Sequence, residues 1–154
     1  MSRFGSSGIR GLANIDVTPQ LALRVGMVIG ELYGDTVIGR DPRLTGPMLD
    51  HALSAGVVSS GATAWDAGLV STPTLARGAR DCDCGVVITA SHNPAPYNGI
   101  KLWNPDGMAF DENQQREIED ALDQDRFSPP AWDRIGSMLS RPDLIQEHVE
   151  AILK

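Results

Sequence analysis

Apolar positions recur at helical spacing in several stretches of the chain. Leu21, Val25, Val28, Ile29 and Leu32 fall on one face of a helix. Thr18-Pro19 supplies its start and Gly34 its end. Leu49, Ala52, Leu53, Gly56 and Val57 make a second helical stripe, and Thr72-Pro73 opens a third helix running to about Arg80. Asp111 with Gln114 reads as a capping box for a polar helix reaching about Gln124. Pro142 onward gives a last helix, with Leu144, Ile145, His148, Ile152 and Leu153 along one side and little chain left to cover them.

Between these helices lie short strand-like runs. Thr36 to Ile38 ends at Gly39, and "ATAWDAG" follows at 62–68. "GVVITA" at 85–90 is β-branched and apolar throughout, the pattern of a strand covered on both faces. "GIKLWN" at 99–104 alternates and reads as its neighbour, and residues 104–107, Asn-Pro-Asp-Gly, form a turn. Residues 126–136 read as a linker or edge segment. Strands alternating with helices predict an α/β fold: a three-layer α/β/α arrangement with a mixed, mostly parallel sheet carrying one antiparallel member. In such sheets, sites form where strands end and loops begin.

Composition narrows the functional classes. The 154 residues are 42% hydrophobic and 21% charged, with a net charge of −7. A nucleic-acid partner would need a basic face, so none is expected. No apolar run approaches the roughly 20 residues of a membrane span, and "MSRFGSSGIRG" lacks the apolar centre of a signal peptide. Cys82 and Cys84 have the spacing of neither a zinc ribbon nor a redox pair. Together these predict a soluble cytoplasmic protein with reduced cysteines.

Four loops carry the unusual residues: "FGSSGIRG", "GRDPR", "GLVSTPT" and "TASHNPAPYNGIK". Glycines and small hydroxyl residues let peptide N–H groups approach a phosphate, and arginine adds paired charge-assisted bonds. Arg40 and Arg43 are expected to pair with Asp41 or nearby acids. Ser91 stands just past a buried strand, where its hydroxyl is fixed and exposed. His92 and Asn93 follow it, and Pro94 sets the chain direction. Of 13 cationic side chains only Lys101 and Lys154 are lysines. A lysine can shed a proton and serve as a base, which arginine cannot. No G-x-S-x-G elbow surrounds Ser91, and a histidine directly after a serine tends to point to the other side of the chain, which argues against a hydrolase. A serine amid cations and N–H donors suits carrying a phosphoryl group.

These motifs, in this order, resemble the α-D-phosphohexomutase family of phosphoglucomutases, phosphomannomutases and phosphoglucosamine mutases. "TASHNPAPYNGIK" resembles its phosphoserine loop and "FGSSGIRG" its opening loop, where threonine is commoner than Ser6. The resemblance implies an isomerase acting by phosphotransfer, with hexose 6-phosphate and hexose 1-phosphate as substrates and a hexose 1,6-bisphosphate as intermediate or activator. Ser91 would be the phosphorylated residue, its phosphate also a ligand to Mg²⁺. Arg10 and Lys101 would flank that phosphate, Lys101 as proton acceptor, and His92 would transfer a proton or contact phosphate. Ser7 and Asn93 would complete the phosphate-binding set, Asn93 chiefly by holding the loop. The family's acidic metal loop, D-G-D-x-D-R, has no match here, and Asp81 and Asp83 do not replace it. The expected organisation is a first domain over 1–137, with 138–154 beginning the connection to a second. The remaining domains, two to four, would be partners in cis, without which the chain is inactive. "FGSSGIRG" leans toward the microbial phosphoglucosamine and phosphomannose branches. A non-catalytic phosphoprotein or interaction module that kept the loop is the alternative.

Overall fold

The β-branched runs form the centre of a mixed sheet. The computed structural model describes residues 4–5 and 8–154. Its elements, in chain order, are β1 (Phe4–Gly5), β2 (Gly8–Leu12), α1 (Pro19–Leu32), β3 (Thr36–Arg40), α2 (Gly46–Ser59) and β4 (Ala64–Leu69). There follow α3 (Thr72–Gly78), β5 (Cys84–Ile88), β6 (Tyr97–Trp103), α4 (Glu112–Asp123), β7 (Met138–Ser140) and α5 (Leu144–Ile152). The strand order is β1-β2-β6-β5-β3-β4-β7. Among the described residues, β2, β3, β4, β5 and β7 run one way and β1 and β6 run against them. The expected antiparallel member is β6, inserted between β5 and β2. The short β1 adds a second.

Alternation along the strands assigns each face its helices. Ile38, Val86, Ile88, Ile100 and Leu102 turn toward α1, α2 and α4, sharing one core with Val25, Ile29, Leu53, Val57 and Ile118. Val37 and Val87 turn the other way, toward Leu75 of α3 and Leu144 of α5. Helices therefore cover both faces, the three layers the sequence predicts. Thr18 caps α1, its Oγ1 accepting from the Leu21 N–H at 3.1 Å. Asp111 and Gln114 form the expected capping box on α4.

Two strands escaped the hydrophobic pattern. The "FGSSGIRG" loop is strand on both sides of Ser6 and Ser7, which lie outside the described residues. The glycines conceal β2, whose pairing with β6 is a matter of backbone; Ile9, opposite Ile100, is its buried anchor. β7 is exposed along its length, so it shows no alternation, and it pairs with β4 as an edge strand. Residues beyond 137 thus join the same sheet. Leu144 is 1% exposed and fills the space over Gly78, where a Cβ would lie 2.6 Å from the Leu144 side chain. Ile145, Val149 and Ile152 of α5, and Leu153 just after it, are exposed. Among the described residues no helix is long and apolar enough to cross a membrane.

α1 and α2 cross at glycines. A Cβ at Gly56 would collide with the Leu23 carbonyl and lie 2.8 Å from the Met27 nitrogen, so only glycine permits this approach. Gly56→Ala is expected to cost about 1–3 kcal/mol in urea unfolding, whereas Gln20→Ala, on the exposed side of α1, stays within about 0.5 kcal/mol of the parent. Equal stability of the two variants would contradict the close crossing.

Candidate functional site

The site sits where β3 and β5 end and β6 begins. Strand register brings its parts together. Across the sheet, Arg10 of β2 stands opposite Gly99 of β6, and the Thr89 N–H donates to the Gly99 carbonyl at 3.0 Å. Two inter-strand spacings thus separate the Arg10 and Thr89 backbones, roughly 10 Å. Two rows on, Lys101 of β6 stands opposite Val87 of β5, and Val87 opposite Gly39 of β3. Because Ile9 and Ile100 face the α1/α2/α4 core, Arg10 and Lys101 face the opposite side, toward α3 and α5. Gly99 separates Arg10 from Thr89 without a side chain; a Cβ there would lie 2.8 Å from the Thr89 carbonyl. Arg10 is exposed and Lys101 half-buried.

Ser91 follows Thr89 and Ala90 in a turn and is exposed. Its φ is +56°, in the left-handed region, a conformation that costs a non-glycine residue about 1–3 kcal/mol. The turn is held from both sides. The Thr89 hydroxyl donates to Asp41 Oδ2 at 2.7 Å and accepts from the Ser91 N–H at 2.9 Å. The Arg43 guanidinium donates to the carbonyls of Ser91, Asn93, Pro94 and Tyr97 at 2.8–3.0 Å. Asp41 in turn accepts from Arg43 Nε at 3.0 Å. Asn93 closes the turn, its side-chain amide donating to the Ala90 carbonyl at 2.8 Å. The left-handed turn also brings His92 Nδ1 to 3.4 Å from Ser91 Oγ, so the imidazole does not point away as adjacency in sequence suggests. Among the described residues no carboxylate hydrogen-bonds the other ring nitrogen of His92, so the third member of a hydrolase triad is missing there.

The two arginines of "GRDPR" part company. Arg43 lies beneath the Ser91 turn, whereas Arg40, opposite Ile88, turns to the α2 face and reaches Asp50 at 3.4 Å. Both pair with acids, as expected, and the serine-gathering role of Arg43 was not legible from its spacing. The third loop borders the same face of the sheet. Ser71 caps α3, and its hydroxyl, that of Thr74 and His148 Nδ1 form a chain of contacts at 2.8 and 2.9 Å. With Asp41, Val87 and Ile145 this loop lines an open cleft of about 400 Å³.

The other candidates are structural. Asp81 pairs with Arg141 at 2.7 Å, and Asp83 accepts from the Asp35 N–H at 2.9 Å. Among the described residues no group of three His, Cys, Asp or Glu side chains could hold a metal ion. Burial pushes the Cys82 thiol up to about 11 and raises Cys84 further, so neither is a thiolate near neutrality.

Burial raises the Asp50 carboxyl above the ordinary carboxylate range, the charge of Asp66 adds to this, and Arg40 opposes it. The folded-state value thus lies above the unfolded one, and lowering pH through it favours the fold. Arg40→Met removes the opposing charge and strands the carboxylate. The expected loss in urea unfolding is about 3 kcal/mol at neutral pH and smaller at a more acidic pH, where Asp50 takes up a proton. A deficit of the same size at both pH values would contradict this.

Comparison with known proteins agrees with the geometry. A family model described as phosphoglucomutase/phosphomannomutase, alpha/beta/alpha domain I, matches residues 1–129. The chain is 54% identical to a "Probable phosphoglucosamine mutase" of Methanosarcina acetivorans, over 99% of this chain and 35% of that protein. It is 42% identical to a phosphoglucosamine mutase of Methanococcus maripaludis, over 100% of this chain and 34% of that one. A solved phosphoglucomutase/phosphomannomutase family protein from Burkholderia thailandensis superposes with a TM-score of 0.80 at 26% identity, covering 95% of this chain and 34% of that chain. The chain thus spans about a third of the length of the curated relatives it matches. With fold, motif order and matched residues in agreement, the chain belongs to the phosphoglucomutase/phosphomannomutase family and corresponds to its α/β/α domain I.

Proposed function

We propose that this chain is the phosphoryl-carrying part of a phosphohexomutase that interconverts hexose 6-phosphate and hexose 1-phosphate, with Ser91 as the carrier. The observation that supports this most is the exposed Ser91 hydroxyl on a turn held through its own N–H and carbonyl. Phosphoryl transfer depends chiefly on positioning and charge stabilisation, and such a turn supplies the first. A phosphoserine carries about −1.5 to −2 charges, so a chain of net charge −7 must gather cations locally. Arg10 supplies a permanent cation on the face it shares with Lys101 of the neighbouring strand, and Lys101 becomes a cation when it takes up the proton of the sugar hydroxyl.

In the transfer a sugar hydroxyl oxygen attacks the phosphorus, and its proton passes to the Lys101 amine. The bond from phosphorus to Ser91 Oγ breaks, and the serine oxygen takes a proton from His92. The return transfer from the bisphosphorylated sugar reverses each step. Mg²⁺ would neutralise charge on the transferred group. Ser91 offers it a single ligand through the phosphate, and its acidic ligands would come from residues outside this chain. The relatives named phosphoglucosamine mutase favour an amino-sugar phosphate as substrate. Residues that read the sugar are expected in the two thirds of those relatives that this chain does not span.

The test uses protein expressed from the complete reading frame, incubated with labelled hexose 1,6-bisphosphate and Mg²⁺. Label is expected on the Ser91 peptide, and Ser91→Ala is expected to abolish both labelling and mutase turnover. Lys101→Met is expected to keep the label but slow turnover by about 10²–10⁴-fold. Full turnover in Ser91→Ala would show that the chain is a module that kept the loop without its chemistry.

A further inference from the structure

We infer that Arg43 is a positioning residue for phosphoryl transfer at Ser91, an inference that rests on the reading of Ser91 as the carrier. A guanidinium has five N–H donors. In Arg43 one goes from Nε to Asp41, two from Nη1 to the carbonyls of Pro94 and Tyr97, and two from Nη2 to those of Ser91 and Asn93. No donor remains for a substrate phosphate. The Arg43 side chain is 13% exposed, beneath the turn rather than in front of it. Arg43 therefore acts on the reaction through the turn.

The frame behind it is anchored to the sheet. Asp41 directly follows β3, and its N–H donates to the Ile88 carbonyl of β5 at 3.0 Å. Asp41 Oδ2 accepts from both Arg43 Nε and the Thr89 hydroxyl. Ser91 is consequently gripped at its N–H by Thr89 and at its carbonyl by Arg43, two bonds that lead back to one carboxylate. This grip keeps a non-glycine residue in the left-handed region, with its hydroxyl on the exposed side. It also commits the carbonyls of the turn inward. Among the described residues the His92 N–H has no hydrogen-bond partner, which leaves it for the oxygens of a phosphoryl group on Ser91. Lysine has three donors from a single nitrogen and cannot span four carbonyls and a carboxylate.

The test compares Arg43→Lys and Thr89→Val with the parent, all expressed from the complete reading frame, folding being checked by circular dichroism. Glucose 1,6-bisphosphate is the probe, and the single-turnover rate of Ser91 phosphorylation is measured against its concentration. Both variants are expected to lower the limiting rate by about 10²-fold and to leave the half-saturating concentration unchanged. Amide exchange in residues 91–97 is expected to rise in both. A folded variant that phosphorylates at the parent rate overturns the inference. So does a raised half-saturating concentration at an unchanged limiting rate, which would make Arg43 a ligand group. If Arg43→Lys does not fold, Thr89→Val decides alone. A parent protein that takes no phosphate on Ser91 removes the carrier reading and this inference together, whereas a parent and variants that take it equally fast remove this inference only.

Discussion

A single ion pair organises the site. Asp41 fixes the Arg43 guanidinium, which collects four carbonyls from a turn of seven residues, 91–97. Each charge-assisted bond of this kind is worth about 1.5–3 kcal/mol, and together they offset the left-handed backbone at Ser91. Without that pair the turn, which contains Pro94 and Pro96, would keep only short-range bonds of its own, from Asn93 to the Ala90 carbonyl and from the Tyr97 N–H to the Pro94 carbonyl. The pair also links the ends of β3 and β5, so the turn inherits the rigidity of two central parallel strands.

The two faces of the sheet differ in a way that follows from this. On the α1/α2/α4 face, helices crossing closely at Gly26 and Gly56 pack over one continuous apolar core. Arg40 turns to that side and is spent on Asp50. On the other face, Gly99 leaves no side chain between Arg10 and Thr89, while Val70 and Leu75 fill the space over Gly39. Small residues and cations share that surface with the hydroxyl-lined mouth of the cleft beside α3.

Much of this was legible in the sequence because it was written in periodicity. The stripes of α1 and α2, the buried run of β5 and the capping box of α4 each have a local physical cause, and each appears where its pattern predicts. The serine past a buried strand was legible for the same reason. β2 and β7 were not, because one is glycine-rich and the other exposed, and both owe their existence to backbone pairing with distant strands. The opposite fates of Arg40 and Arg43 were equally hidden. They follow from alternation at the end of β3, where Arg40 still belongs to the strand and faces α2 while Asp41 and Arg43 lie beyond it. The approach of His92 to Ser91 depends on a positive φ at a serine, which no residue type announces.

The central claim is that Ser91 carries phosphate on its way to and from a sugar. A pulse–chase measurement tests it most directly: protein from the complete reading frame is labelled at phosphate, freed of small molecules, and mixed with unlabelled hexose 1-phosphate and Mg²⁺. The account predicts that label leaves Ser91 within the time of a single turnover and appears in the sugar phosphates. Label that stays on the protein, or that resides on a residue other than Ser91, would contradict it.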